Sequence, residues 1–155
     1  MKARLNSATS FCWLACALVL LAGGSVSGQA AEMKLQGFLL WGTDDSKPPQ
    51  GKDYRPAERE IQEKLRELPL KWTNWFEVNR KDFVVPQAIA KEVPMSAKCQ
   101  LNVKGFGGSE LEVTLIGKGK EVVKRRQALP KGELLVLGGN APNSTAWLVV
   151  LKRIE

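Results

Sequence analysis

The most regular pattern of hydrophobic and polar positions lies between Lys98 and Gln127. Every second residue is apolar in 98–104, and the same alternation returns in 110–115 after a glycine-rich break. The apolar set comprises Cys99, Leu101, Val103, Leu111, Val113 and Leu115. A period of two, interrupted by glycine-rich turns, is typical of half-buried antiparallel strands. This stretch therefore predicts a β-meander that turns one face towards the core.

Shorter apolar runs predict further strands on both sides of the meander. They occupy 35–43, 70–79, 83–85, 133–137 and 146–152. A polar turn is expected at 80–82, and the last two runs are expected to form a hairpin with a long loop. We therefore expect a mainly β, α+β fold, an antiparallel meander or sandwich of about seven or eight strands.

One segment has the pattern of an amphipathic helix, over about 56–68. Pro56 suits the first turn, where its missing N–H has no intrahelical partner. Apolar residues recur at helical spacing at Ile61, Leu65 and Leu68. We expect Glu60 and Lys64 to form an i, i+4 ion pair. The preceding segment, 44–52, has turn-forming residues without apolar anchors, so it predicts an exposed loop.

The chain begins with the layout of a secretory signal peptide over 1–30. A short basic start precedes twelve uninterrupted apolar residues, 11–22, and small residues follow. Cleavage is expected after Gly28 or Ala30. A retained membrane anchor is disfavoured because it needs about 20 apolar residues. A lipoprotein signal is disfavoured because Cys12 and Cys16 lie inside the apolar run and not after it.

Cleavage would leave one strand-rich domain, 31–155, in a periplasmic or extracellular compartment. Without Lys2 and Arg4, 21 basic residues remain against 16 acidic ones, a net charge of +5. This charge weakly favours an acidic envelope component or an acidic protein as partner, and export argues against nucleic acid. No transmembrane segment is expected after cleavage. Cys99 would be the only remaining cysteine, so it is expected to be buried and not disulfide-bonded.

The composition excludes several common chemistries. The chain has no histidine, which removes the usual general base at neutral pH and most transition-metal sites. Asp44 and Asp45, with Asp53, could ligate Ca²⁺ through oxygen, but an ordinary solvated loop explains them better. No cofactor motif is present, so neither a catalytic residue, a metal nor a cofactor is predicted.

Two groups of residues are candidate contact surfaces. The densest basic cluster comprises Lys118, Lys120, Lys124, Arg125, Arg126 and Lys131. It would either bind an acidic partner or keep an edge strand from pairing with other chains. Alternation places Lys124 and Arg126 on one side of a strand and Arg125 on the other. Four aromatic residues would either line a sugar or peptide groove or fill the core, namely Trp72, Trp75, Phe76 and Trp147. Of these, Trp72 and Trp75 are predicted as contacts.

Three segments resemble parts of small exported bacterial proteins of unassigned function. They are Leu40-Trp-Gly-Thr-Asp-Asp45, Phe76-Glu-Val-Asn-Arg-Lys81 and Leu129-Pro-Lys-Gly-Glu-Leu134. The resemblance spans most of the mature chain and implies export, but it implies no activity.

These observations favour an exported, non-catalytic binding or accessory protein of the bacterial cell envelope. A small envelope hydrolase that uses Asp44, Asp45 and Asp82 is an alternative, and it requires these carboxylates to converge in one cleft. A structural subunit that associates by strand addition is a second alternative. It requires an uncharged, uncovered sheet edge, and the basic residues near 118–126 argue against one there.

Overall fold

The computed structural model describes residues 32–140 and 145–155. Its elements are β1 (Met33–Thr43), β2 (Arg55–Pro56), α1 (Arg59–Arg66), β3 (Asn74–Val85), β4 (Ala90–Ser96), β5 (Cys99–Gly107), β6 (Glu110–Gly117), β7 (Lys120–Ala128), β8 (Leu134–Asn140) and β9 (Ala146–Arg153). The predicted signal peptide, 1–30, lies outside the described residues. Within those residues, no helix is both long and apolar enough to cross a membrane.

The strands form two antiparallel sheets. Sheet A has the order β2-β3-β1-β9-β8, and sheet B has the order β4-β5-β6-β7. Eight of the strands have at least seven residues, and the ninth, β2, has two. The prediction of a mainly β, sandwich-like α+β fold with one helix is confirmed.

Sheet B contains the predicted meander, with the predicted face turned inwards. Its register sets Leu101 opposite Leu115 and Val103 opposite Val113, and the intervening polar residues face outwards. The inward-facing apolar side chains of sheet B pack against Leu35 and the rest of the inner face of sheet A, and together they form the larger hydrophobic core. The alternation predicts these faces because β5 and β6 each have one buried face and one solvent-exposed face.

Strand β1 lies in the middle of sheet A and is buried on both faces. Leu35 and Leu39 belong to the core between the sheets, whereas Phe38 and Leu40 belong to a second core under the helix. Helix α1 contributes Ile61 and Leu65 to this second core, and both are about 1% exposed. The molecule therefore has three layers, helix, sheet A and sheet B.

The helix is shorter than predicted. It spans Arg59–Arg66, with Glu58 as its N-cap residue, and Pro56 instead pairs with Phe76 as part of β2. A proline disfavours the helical conformation of the residue before it, here Arg55, which explains the extended entry. The predicted Glu60–Lys64 ion pair is also wrong, because Glu60 pairs with Lys152 and Lys64 pairs with Glu67.

The polar segment 80–82 is not a turn, which is a second correction. Strand β3 continues through it from Asn74 to Val85 and pairs with almost the whole of β1. The side-chain amide of Gln36 donates a hydrogen bond to Asp82 Oδ1 at 2.8 Å, so polar residues also face each other across the two strands. Segment 70–73 lies outside the strand, and 90–96, which has a weak pattern, forms β4.

A buried carboxylate joins the helix layer to sheet A. The side chain of Glu77 is 7% exposed, and Arg80 binds it through Nη2–Oε2 at 2.7 Å and Nε–Oε1 at 3.2 Å. Arg80 Nη2 also contacts Glu58 Oε1 at 2.6 Å, and its guanidinium lies 4.7 Å from the centre of the Phe38 ring. The two carboxylates, Glu77 first, raise the pKa of Arg80. One arginine thus neutralises Glu77 and attaches the start of α1 to β3.

Candidate functional site

The pleat of β7 divides the basic cluster between two faces. Lys124 and Arg126 lie on the outer face of sheet B, where Lys124 Nζ is 3.0 Å from Glu112 Oε1 and Arg126 Nε is 2.9 Å from Glu110 Oε1. Arg126 also lies 3.8 Å above the Phe106 ring. These two cations therefore form cross-strand pairs with carboxylates of β6, which is consistent with a solvated sheet surface.

Arg125 lies on the opposite face of the same strand, opposite Val113 in the register. It borders a shallow groove beside β8, together with Gln127. Lys118 and Lys120 instead lie at the turn between β6 and β7. Five of the six basic residues of the cluster therefore occupy three separate places, and the sixth, Lys131, follows the far end of β7. The cluster does not form one patch.

The two predicted aromatic contacts also have different settings. Trp75 is 4% exposed and fills the core under the helix. Trp72 is half-buried, meets the Trp75 ring edge-on at 6.2 Å, and lines the groove beside β8. Only Trp72 is therefore placed to contact a surface ligand.

The carboxylates of the hydrolase alternative do not converge. Asp82 is opposite Gln36 in the register, and Asp44 follows β1 eight positions further along. At about 3.3 Å per residue this separation is about 26 Å, well beyond the roughly 5–10 Å that paired carboxylates need. The carboxylate of Asp45 has a local partner, since the hydroxyl of Thr43 donates to Asp45 Oδ2 at 3.4 Å. Over 32–140 and 145–155, no three His, Cys, Asp or Glu side chains are grouped to hold a metal ion.

The best-formed concavity lies between the two sheets at one end of the sandwich, and we call it the end cleft. It encloses about 650 Å³. Its apolar walls are formed by Leu39, Cys99, Leu115, Val122, Trp147 and Val149. Its mouth carries Lys98 and Lys118, and no carboxylate lines it. Its size falls within the range of about 300–1,000 Å³ that is usual for small-molecule sites.

The opposite end of the sandwich is closed. There Leu129 is 1% exposed and packs into the core between the sheets. Its N–H donates to the carbonyl of Ser109 at 2.7 Å, which fixes the chain across that end. At the end cleft, in contrast, Val122 is 47% and Trp147 is 40% exposed, although both are large and apolar.

A β-bulge directs Val122 towards the end cleft. The register pairs Ile116 with Glu121 but Leu115 with Val123, so Val122 is the extra residue of β7. The extra residue of a bulge interrupts the alternation of the strand, so its side chain points in a new direction. Bulges of this kind often occur beside functional sites. Gly117 leaves room for this side chain, because a Cβ at that position would lie 2.9 Å from Val122 Cγ2.

The two lysines at the mouth are held near each other by the backbone. The N–H of Lys118 donates to the carbonyl of Lys98 at 2.8 Å, which joins the β6–β7 turn to the β4–β5 turn. Lys118 has a φ of +50° and Gly119 a φ of +76°, as a two-residue hairpin turn of this hand requires. Neither lysine forms an ion pair with any residue in the described part of the chain. Two cations thus share the mouth of an apolar cleft.

Cys99 forms part of the wall of the end cleft and is half-buried, which is less burial than the alternation predicts. Burial raises the pKa of its thiol. At neutral pH the side chain is therefore protonated and contributes an apolar surface, in contrast to the thiolate of a catalytic cysteine.

Sequence reasoning did not identify the end cleft, because three of its walls come from segments that are far apart in the chain. The available signals were Trp147, an aromatic candidate for a groove, and Val122, which with Val123 forms an apolar pair within a charged stretch. No protein-family model matches this chain, no curated protein has a significantly similar sequence, and no solved structure is significantly similar to it.

Proposed function

We propose that this protein is exported to the bacterial cell envelope, acts there without catalysis, and binds an anionic amphiphile in the end cleft. The apolar chain of the ligand would lie between the sheets, and its acidic head would lie between Lys98 and Lys118. The observation that carries the proposal is the combination of an apolar interior with a mouth whose two charged side chains, Lys98 and Lys118, are both basic.

The apolar interior supports the ligand's chain. Leu39, Leu115 and Val149 are otherwise core residues, so the cleft is an extension of the hydrophobic core to the surface. Trp147 and Val122 expose large apolar surfaces at its edge, and contiguous surfaces of this kind mark binding sites in soluble proteins. Burial of each methylene from a ligand contributes about 0.8 kcal/mol, or about fourfold in affinity.

The basic mouth supports the ligand's head. Lys98 and Lys118 both lack carboxylate partners among the described residues, in contrast to Lys124 and Arg126. A head group with negative charge would relieve their mutual repulsion, whereas a cationic head would increase it. The charge on the ligand's head is therefore expected to add selectivity to the affinity that the apolar chain supplies.

The chemistry of the residues supports a role without catalysis. The chain has no histidine, Cys99 is a protonated thiol, and Asp44 and Asp82 lie far apart. The segment 1–30, with its signal-peptide layout, supports export. Sequencing the N-terminus of protein from the envelope fraction should find a start at Gln29 or Ala31. Retention of Met1 on protein from the cytoplasm would contradict export.

The proposal is tested by titration with dodecanoate below its micelle concentration, using calorimetry. We expect dodecanoate to bind at least tenfold more tightly than dodecanol, and dodecyltrimethylammonium to bind more weakly than both. Decanoate should lose about fourfold per methylene relative to dodecanoate. Equal affinities for the anionic and the cationic amphiphile would refute the assignment of the head group.

The Lys98→Glu/Lys118→Glu double variant should reverse the preference for head-group charge. Lys131→Glu is the matched control, because this exposed lysine lies at the closed end of the sandwich. Val122→Asp tests the interior, and it should abolish dodecanoate binding while far-UV circular dichroism is unchanged. Wild-type affinity in the double variant and in Val122→Asp would exclude the end cleft as the site.

A further inference from the structure

The four sheet edges of the described chain are not equally protected against pairing with other chains. Strand β2 has only two residues and includes a proline, β4 carries Lys91, Glu92 and Pro94, and β7 carries five charged residues. Strand β8 has the sequence Leu-Leu-Val-Leu-Gly-Gly-Asn, with neither charge nor proline. Charges and prolines are the usual protection of edges, and β8 lacks both.

The backbone of β8 presents free hydrogen-bonding groups. Arg153 donates its N–H to the carbonyl of Glu133, and alternation in an antiparallel ladder then assigns Leu135 and Leu137 to bonds with β9. Leu134, Val136 and Gly138 therefore direct their N–H and C=O groups away from β9. No backbone group elsewhere in 32–140 or 145–155 bonds to them.

A groove follows β8 on its free side. On the helix side its floor is mostly apolar and includes Leu68, Leu70, Leu134 and Val136. Lys64 of α1 also borders this side, and it pairs with Glu67 at 3.2 Å. On the side of sheet B it is bordered by Arg125 and Gln127. A strand laid along β8 would alternate its side chains between these two environments, one set on the apolar floor and the other towards Arg125.

We propose that β8 binds an extended segment of another protein as an added strand of sheet A, with an acidic side chain opposite Arg125. Main-chain bonds to Leu134, Val136 and Gly138 would supply affinity, and the apolar floor and Arg125 would supply specificity. The acidic residue follows from charge, because Arg125 is permanently cationic and forms no ion pair with a described residue. This site is separate from the end cleft and does not depend on the proposed ligand.

A second copy of this chain is a less suitable occupant. Two β8 strands paired about a two-fold axis would place both copies of Arg125 on the same side of the joined sheet, flanking the axis. Strand β8 carries no acidic side chain, so a second copy paired through β8 would bring none to the position opposite Arg125. The self-complementary arrangement thus lacks the negative charge that Arg125 requires.

The test uses two synthetic ten-residue peptides that alternate valine and threonine. One carries glutamate at a central threonine position, and the other carries lysine there. Amide hydrogen exchange of the purified protein is followed by NMR. With the glutamate peptide, exchange at Leu134, Val136 and Gly138 should slow at least tenfold, while exchange at Leu135 and Leu137 stays unchanged. The lysine peptide should bind at least tenfold more weakly.

Two variants distinguish the proposed contacts. Val136→Pro removes an outward N–H without removing a bond to β9, so the fold should persist and the peptide should lose binding. Val136→Thr is its control and should still bind. Arg125→Glu should reverse the preference between the two peptides, whereas Lys124→Glu, on the other face of β7, should not. Unprotected amides with both peptides, or an unchanged preference in Arg125→Glu, would overturn the proposal. A dimer in sedimentation that Val136→Pro dissociates would overturn it in favour of a second copy.

Discussion

Replacement of Arg80 by alanine should destabilise the protein by about 2–3 kcal/mol, although Arg80 lies near the surface. The substitution leaves Glu77, whose side chain is 7% exposed, without its two charge-assisted hydrogen bonds. Breaking a buried ion pair by removing one partner costs about 3–5 kcal/mol. The side chain of Arg80 is 36% exposed, so water can partly replace it beside Glu77. We therefore expect a cost at or just below the lower end of that range, about 2–3 kcal/mol.

Arg80 has two other contacts that the substitution also removes. Losing the contact between Arg80 and Glu58 adds little, because that pair is exposed on both sides. The cation–π contact with Phe38 adds about 0.5–1 kcal/mol.

Urea denaturation of four proteins measures the interaction. These are the wild type, Arg80→Ala, Glu77→Gln and the double variant. Because Glu77→Gln removes the buried charge, Arg80→Ala should cost at least 1 kcal/mol less in that background than in the wild type. Arg59→Ala is the matched control, since Arg59 pairs with Glu63 on the exposed face of α1 and should cost less than about 0.5 kcal/mol. Additive effects of the two substitutions would refute the view that Arg80 neutralises Glu77.

Three further predictions follow from local geometry. Gly42→Ala should lower the free energy of unfolding, measured by urea denaturation, by about 1–3 kcal/mol, because the new Cβ would overlap the Trp75 ring. Gly105→Ala is the control. Its Cβ would have its nearest neighbour at 3.6 Å, so this change should be neutral or stabilising. Lys118→Gly should raise the free energy of unfolding by about 0.5–1 kcal/mol, because glycine adopts a positive φ without strain. The same change should weaken the binding of dodecanoate. Unchanged stability would show that the turn is unstrained. Cys99 should react slowly with iodoacetamide at neutral pH, because burial raises the pKa of its thiol. The midpoint of the pH dependence of this reaction should lie above the ordinary thiol value. Dodecanoate should slow the reaction further, because Cys99 lines the end cleft. As pH rises, the thiol ionises in the unfolded chain before it ionises in the folded protein. The free energy of unfolding should therefore fall as pH rises past the unfolded-state pKa and towards the folded-state value. Cys99→Ser should lessen this fall.

The sequence predicted well those features that depend on neighbouring residues. Alternation in 98–104 and 110–115 assigned the inner and outer faces of sheet B, since β5 and β6 each have one buried face and one solvent-exposed face. The same rule placed Lys124 and Arg126 on the face opposite Arg125. In β1 the apolar run predicted a strand, and burial on both faces explains why it shows no alternation.

Features that depend on distant pairing were not predictable in this way. Pro56 is compatible with a first helical turn and with a short edge strand, and only its pairing with Phe76 decides between them. Segment 80–82 has the composition of a turn, but β1 extends alongside it. The end cleft needs the bulge at Val122 and the approach of Trp147 from the other sheet, and neither feature has a local signature.

The basic residues of the cluster differ in whether a carboxylate lies beside them. The pleat of β7 sets Lys124 and Arg126 against Glu112 and Glu110, which leaves these two cations paired on a solvated face. Lys118 and Arg125 have no such partner in the described part of the chain, and they border the two concave surfaces, the end cleft and the groove beside β8. Lys120 likewise has no ion pair with a described residue, but it borders neither surface, so a missing partner alone does not mark a binding site. In the two proposals above, the position of Lys118 and Arg125 beside apolar concavities is the distinguishing feature, and bound anionic groups would supply the partners that they lack. Lys124 and Arg126 would instead serve to protect the edge of sheet B.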